Sequence, residues 1–142
     1  MIGLDCNILV QLAFAEHPAN KKTQVIVEAE IESGEDLVFP SLIITEFLHV
    51  ATDGRRFSPP LNMLDAMAWI QEFMANPAVR LIEPTQASLD QTLQWMIQFN
   101  LGRKRILDTH LAAILATNGV RRLLTSNPSD FALFGVLETV TP

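Results

Sequence analysis

Short apolar segments alternate along this chain with longer segments that have the signals of helices, and this alternation limits the possible folds more than any other feature. Strands joined through helices are typical of a parallel sheet that is covered on both faces. The predicted strands are Ile2–Leu4, Leu37–Phe39, Arg80–Ile82, Leu123–Thr125 and Leu137–Val140. The sequence therefore predicts an α/β protein, a single three-layer α/β/α domain over residues 1–142, with no internal repeat and no linker.

Capping and breaking residues predict where several helices begin. Ser41 and Thr85 have side chains that favour the N-cap position, so each is expected to precede a helix. Pro60 is expected to open another helix, which Asn76 and Pro77 end.

Composition excludes several classes of protein. A length of 142 residues fits one domain, and 49% apolar residues argue against disorder. No apolar run reaches the roughly 18 residues of a membrane span. Cys6 is the only cysteine, so an internal disulfide is impossible. The N-terminus also lacks a signal-peptide pattern. We therefore expect a cytoplasmic protein without a membrane segment.

The net charge of −6 does not by itself favour binding to nucleic acid. However, every basic residue except Arg80 lies in a tight group, and such groups can form local positive patches or simply solvated helix ends. These groups are Lys21–Lys22, Arg55–Arg56, Arg103–Lys104–Arg105 and Arg121–Arg122. Arg103, Lys104 and Arg105 are the candidates for RNA binding, because they immediately precede an acidic residue of interest, Asp108.

Asp5 stands at the carboxyl end of the first predicted strand, in the opening sequence MIGLDCNILV. Ligands of open parallel sheets bind beyond the carboxyl ends of the strands, so this position indicates a binding site. The alternative is that Asp5 only caps the helix that follows it.

Two further acids lie on the apolar sides of predicted helices. At 100° per residue, Glu46 falls between Leu42 and Val50, whereas Thr45 and His49 occupy the polar side. A carboxylate in that position is costly unless it is paired or bound to a cation, although a side chain at the edge of the apolar face could still reach water. Asp108 lies beside apolar residues in the first turn of its helix, where an ordinary helix-stabilising acid is the alternative.

The stretch LLTSNPSDF adds a polar turn directly after a predicted strand, with Thr125, Asn127 and Asp130 within it. Carboxylates that converge from several segments repel one another in a cleft unless a cation is present. Oxygen ligands select Mg²⁺ or Mn²⁺, which suit the hydrolysis of phosphodiester bonds.

Four motifs in this order, LDCN, ITEFL, RILDTHLAAIL and LLTSNPSDF, resemble those of the PIN-domain ribonucleases, and they are most similar to those of the VapC-like toxins of toxin–antitoxin pairs. The resemblance extends from Ile2 to about Val140. It implies a five-stranded parallel sheet in the order 3-2-1-4-5, dependence on Mg²⁺ or Mn²⁺ and endonucleolytic cleavage of RNA. It also implies a homodimer and an inhibitory antitoxin protein as partner.

The resemblance assigns roles to individual residues. Asp5, Glu46 and Asp108 correspond to the family's first three catalytic and metal-binding acids. Asn7 corresponds to a polar residue that orders the loop around the first acid, and Thr125 to a hydroxyl residue at the end of the fourth strand.

The chain departs from the family pattern at two positions. Cys6 replaces a threonine or serine, and Asn127 stands where many members have a fourth aspartate. Asp130, three residues later, corresponds to another acidic position and is expected to act as the fourth catalytic and metal-binding acid.

Two other functions remain open. One is a PIN-like module that binds RNA or protein through an impaired metal site. The other is a phosphatase with Asp5 as nucleophile, but enzymes of that kind carry an acid two residues later, where this chain has Asn7.

Overall fold

The computed structural model describes residues 1–142 as an open sheet with helices between its strands. The strands are β1 (Ile2–Leu4), β2 (Leu37–Pro40), β3 (Val79–Ile82), β4 (Arg122–Leu124) and β5 (Glu138–Val140). The helices are α1 (Cys6–Ala13), α2 (Asn20–Glu32), α3 (Ser41–Ala51), α4 (Met63–Met74), α5 (Gln86–Gln98), α6 (Ile106–Thr117) and α7 (Ser129–Ala132). A 3₁₀ turn, Arg103–Arg105, leads into α6.

All neighbouring strands are parallel, and their order is β3-β2-β1-β4-β5, which confirms the predicted sheet. In the central strand β1, Gly3 pairs with Val38 on one side and with Leu123 on the other. The strand order reverses between β1 and β4, so a crevice forms beyond their carboxyl ends. This reversal places the residues after Leu4 and Leu124 at the position where such sheets bind ligands.

One core of 25 buried side chains joins the sheet to its helices. β1 and β2 are buried over their whole length, as expected for strands with both faces covered. The middle of α6, Leu111–Leu115, is also entirely buried. This helix is therefore anchored firmly, and its first turn, which includes Asp108, is held in a fixed position relative to β1.

The observed first residues of the helices contradict two predictions and confirm one. Ser41 is the first residue of α3 rather than its N-cap, because Pro40 ends β2 in an extended conformation and the helix begins without a loop. The fourth helix begins at Met63 and not at Pro60, because the side chain of Asn62 accepts a hydrogen bond from the Asp65 backbone N–H at 2.9 Å. Thr85 caps α5 as predicted.

None of the helices is both long and apolar enough to cross a membrane.

Gly3 allows β1 to lie directly against α6. A Cβ atom at this position would lie 2.7 Å from Leu115 Cδ2 and 2.9 Å from its Cδ1, and Leu115 is fully buried. We expect Gly3→Ala to lower the free energy of unfolding by about 1–3 kcal/mol through overpacking. Leu115→Val removes the clashing atoms, so the double variant should lose less than the sum of the two single changes, as measured by urea denaturation. Additive losses would show that this close approach does not limit the position.

Candidate active site

Three carboxylates line one cleft of about 490 Å³ at the carboxyl edge of the sheet. Asp5 follows β1, Glu46 lies in the middle of α3, and Asp108 lies in the first turn of α6. Asn7 and Asn127 also line the cleft. The three acids predicted from separate motifs are therefore brought together, at the crevice that the strand order creates.

Asp5 is held by hydrogen bonds from two side chains, one on α1 and one at the end of β4. Asp5 is 8% exposed, and its Oδ2 accepts hydrogen bonds from Thr125 Oγ1 at 2.6 Å and from Asn7 Nδ2 at 2.7 Å. Although Asp5 occupies the N-cap position of α1, its side chain makes no capping hydrogen bond. The alternative that Asp5 serves only as a helix cap does not account for this arrangement.

Asn7 and Thr125 also fix the loop after β4. The Ser126 backbone N–H donates to Asn7 Oδ1 at 3.1 Å, and the Asn127 backbone N–H donates to Thr125 Oγ1 at 3.0 Å. Each of these two side chains therefore binds both Asp5 and the loop. The result is a rigid connection between the ends of β1 and β4.

Glu46 occupies the position that the helical pattern predicted. Its neighbours Ile43 and Phe47 are buried, Thr45 and His49 are exposed, and Glu46 itself is half-buried. Burial raises the pKa of Glu46, and the charges of Asp5 and Asp108 raise it further, whereas Arg56 lowers it.

The pKa values of the other two carboxylates, Asp5 and Asp108, are raised as well. Burial is the main cause that raises the pKa of Asp5, against hydrogen bonds that lower it. The pKa of Asp108 rises to about 6, first through burial and then through the charges of Asp5 and Asp130. The ionised forms of all three acids are therefore disfavoured in the protein alone, which is the condition that a bound cation relieves.

The donor atoms fit a hard divalent cation. They are carboxylate and amide oxygens, which Mg²⁺ and Mn²⁺ prefer. No three acidic, histidine or cysteine side chains are grouped closely enough to hold an ion by themselves. This spacing is compatible with Mg²⁺, which usually keeps several waters and binds only one or two protein carboxylates directly.

Asp130 is bound to Arg105 and lies outside the cleft. Arg105 Nη1 donates to its carboxylate and Arg105 Nη2 donates to its backbone carbonyl. Asp130 does not line the cleft, whereas Asn127 does. The expected fourth acid therefore reaches the site only through its charge, which raises the pKa of Asp108.

The same ion pair divides the basic triplet. Arg105 is partly buried and bound to Asp130, while Arg103 and Lys104 are exposed and form no ion pair. The three residues that the sequence grouped as one RNA-binding candidate therefore have two different environments.

Cys6 lines the cleft as a buried thiol. Burial raises the pKa of this thiol strongly, and the nearby charges of Glu46 and Asp5 raise it further. The side chain consequently stays neutral at ordinary pH and supplies neither a hydroxyl group nor an anionic ligand at this position.

Several residues of the cleft were not predicted from the sequence, namely Gln11, His17, Arg56 and Phe57. Gln11 Nε2 donates to Ser126 Oγ at 2.6 Å, and Gln11 Oε1 accepts from Thr23 Oγ1 at 2.6 Å. Gln11 thereby links two helices to the loop after β4. Only Arg56 carried a signal in the sequence, as part of a basic pair.

The raised pKa of Asp108 makes the stability of the metal-free protein depend on pH. In the folded protein this pKa rises from 3.8 to about 6, so between these values the folded state holds a proton that the unfolded chain has lost. Stability should therefore fall as the pH rises through this window. We expect Asp108→Asn to weaken that dependence, of which Asp5 and Glu46 keep a part, and at pH 7 to be more stable than wild type by about 1 kcal/mol after allowance for solvent screening.

Urea denaturation of both proteins in chelator, from pH 4 to pH 8, measures this effect. If Asp108 only stabilised the N-terminus of its helix, the Asn variant would instead be less stable than wild type at pH 7, by up to about 1 kcal/mol.

Comparison with known proteins finds similarity over the full length of the chain. No family model matches the sequence. The chain is 27% identical over 146 aligned residues to ribonuclease VapC33 of Mycobacterium tuberculosis, with coverage of 100% of this chain and 98% of that protein. It is 25% identical over 142 residues to ribonuclease VapC31 of the same organism, with coverage of 100% and 99%.

Solved structures of toxins share the fold. The crystal structure of Mycobacterium tuberculosis VapC20, a toxin that cleaves the sarcin–ricin loop, superposes with a TM-score of 0.73 at 13% identity, over 97% of this chain and 98% of that one. VapBC2 from Rickettsia felis, bound to a DNA fragment from its promoter, superposes with a TM-score of 0.71 at 16% identity, over 99% and 98%. The resemblance indicated by the motifs is thus confirmed: along its whole length this chain is similar in sequence to VapC ribonucleases, and it has the fold of the solved VapC toxin structures.

Proposed function

We propose that this protein is a metal-dependent endoribonuclease and the toxin of a toxin–antitoxin pair. The observation that carries the proposal is the meeting of Asp5, Glu46 and Asp108 in one cleft, where burial and mutual repulsion raise all three pKa values. Similarity to proteins named VapC ribonucleases supports RNA as the substrate. We also propose that residues 1–142 act as one catalytic domain, because a single core joins all parts of the sheet.

Asp5, Glu46 and Asp108 would hold Mg²⁺ or Mn²⁺ together with water molecules, and Asn127 offers an amide oxygen in place of a fourth carboxylate. A divalent ion in this position supplies an activated water and neutralises charge at the phosphate. Thr125 and Asn7 keep Asp5 oriented, since both donate to the same carboxylate oxygen. Asp130, held by Arg105, contributes negative charge near Asp108 without lining the cleft.

Partner proteins form part of the proposal. A cognate antitoxin is supported by similarity to VapBC2 and to a toxin–antitoxin complex from Klebsiella pneumoniae, which superposes with a TM-score of 0.63 at 18% identity. A homodimer is supported by an exposed apolar surface on α5 and α6, since exposed surfaces of this kind commonly mark interfaces. This surface includes Leu89, Leu93, Ile97, Ile106 and Leu107. The single buried cysteine fits a reducing cytoplasm.

Cleavage of RNA should require a divalent metal and all three carboxylates. We expect cleavage with Mg²⁺ or Mn²⁺ and none in excess chelator. Asp5→Asn, Glu46→Gln and Asp108→Asn should each lower kcat more than about 100-fold, since even residues that merely orient metal ligands contribute about 10–100-fold. Glu72→Gln, which changes an exposed acid on α4, is the matched control and should cleave normally.

The measurement is the rate of cleavage of a fluorescent RNA, with melting curves to verify that each variant is folded. Activity in chelator would exclude the metal mechanism. Binding of RNA without any cleavage under all conditions would favour the binding module with an impaired site.

Substitutions in the two parts of the basic triplet should have different effects, on RNA binding in one case and on stability in the other. Replacing the exposed Arg103 and Lys104 with Ser should lessen the slope of log Kd against log salt for single-stranded RNA by about 1.4, because each phosphate that is no longer neutralised accounts for about 0.7. Arg105→Ser should instead lower the stability of the protein, because it leaves Asp130 unpaired. Lys21→Ser with Lys22→Ser, on α2, is the control pair. An unchanged slope in the Arg103 and Lys104 variant would place these residues outside the path of the RNA.

A further inference from the structure

A second hollow, of about 520 Å³, adjoins the carboxylate cleft. It lies between the connection from α1 to α2 and the connection from α3 to α4. His17 and Phe57 line both the hollow and the cleft, so the two spaces share a wall. An extended chain lying in the cleft would therefore have a continuous path into this hollow.

An aromatic pair forms part of the hollow. The rings of Phe14 and Phe57 are stacked, with their centroids 4.1 Å apart and their planes at 15°. Both side chains remain partly exposed. The backbone N–H of Phe14 donates to the Val10 carbonyl at the end of α1, and that of Phe57 donates to the Asp53 carbonyl. The pair is thus fixed before any ligand arrives, which reduces the entropy lost on binding.

A cation stands next to this aromatic surface. Arg56 precedes Phe57 in the sequence and lines the cleft, and its side chain is 58% exposed. Its one ion pair is with Asp53, at a distance of 3.7 Å, and its charge also acts on Glu46 in the cleft. The guanidinium group therefore remains accessible to a phosphate beside the aromatic pair.

His17 adds a polar edge. Its Nδ1 accepts a hydrogen bond from the Ala19 backbone N–H at 3.1 Å, which in the neutral ring places the proton on Nε2. His17 consequently offers a hydrogen-bond donor at the wall between the two spaces.

We propose that the hollow is a nucleobase subsite, in which a base flanking the cleaved phosphate stacks on Phe57 while Arg56 contacts the adjacent phosphate. This inference rests on the proposed ribonuclease function. Continuity with the cleft, a cation beside an aromatic ring and a polar edge together match single-stranded RNA, which is bound by stacking of bases and by cationic contacts to the backbone. A bound peptide could contact the apolar walls of the hollow, but its binding would not depend on a nucleobase.

A double-mutant cycle, which combines changes of Phe57 with removal of single bases from the RNA, tests the subsite. The RNA carries an abasic nucleotide at successive positions on either side of the cleavage site, and the protein is wild type, Phe57→Leu or Phe57→Trp. At one position the abasic change should weaken binding to wild type about tenfold, as expected for the loss of a stacked base. The same abasic change should have almost no effect on Phe57→Leu, and Phe57→Trp should restore its effect.

Binding is measured in chelator, and KM and kcat are measured with metal. Phe57→Leu should raise KM about tenfold and lower kcat far less, since stacking on the ring stabilises substrate and transition state alike. Phe99→Leu is the matched control, because Phe99 packs against Phe134 and lines neither space. Melting curves verify that the variants are folded.

The outcomes separate the two proposals. A wild-type protein that cleaves RNA, with abasic and Phe57 effects that simply add at every position, overturns the subsite and leaves the ribonuclease intact. A Phe57 variant that handles RNA normally but loses a protein partner also overturns the subsite. A wild-type protein that cleaves no RNA overturns the ribonuclease, and the subsite with it.

Discussion

The buried hydrogen bond from Thr125 to Asp5 is the interaction on which the rest of the site depends. It joins the ends of β1 and β4, the two strands between which the strand order reverses. Asn7 reinforces it by binding both Asp5 and the loop after β4. A carboxylate with so little exposure remains tolerable only because these donors partly offset the cost of its burial. The cleft is consequently built around a fixed acid.

Electrostatic cost and function are linked in this cleft. The sheet and its helices bring Glu46 and Asp108 to the same side as Asp5, where burial and repulsion disfavour their charged forms. The fold thus stores an unfavourable energy that a cation would release, and binding of the cation would in turn stabilise the fold. A cation bound in the cleft would account for the half-buried acids on two otherwise apolar helix faces.

Arg105 and Asp130 show how one ion pair can redistribute two expected roles. Each was expected to bind a ligand, the one RNA and the other a metal, but the short 3₁₀ turn before α6 places Arg105 against α7. The pair removes one cation from the RNA-facing candidates and one anion from the cleft. It also leaves Arg105 Nε buried without a hydrogen-bond partner, so the guanidinium group is held by Asp130 alone.

The sequence by itself determined the parallel sheet, the approximate strands and the three acids, because these depend on local patterns: apolar runs, helical periodicity and position after a strand. Glu46 was recognisable since a carboxylate within an apolar arc is costly wherever the helix packs. Only the tertiary structure decided the partner of Asp130, the bridge made by Gln11 and the aromatic hollow at Phe57. Those features arise where segments distant in sequence meet, and side-chain packing, which no local pattern encodes, selects their neighbours.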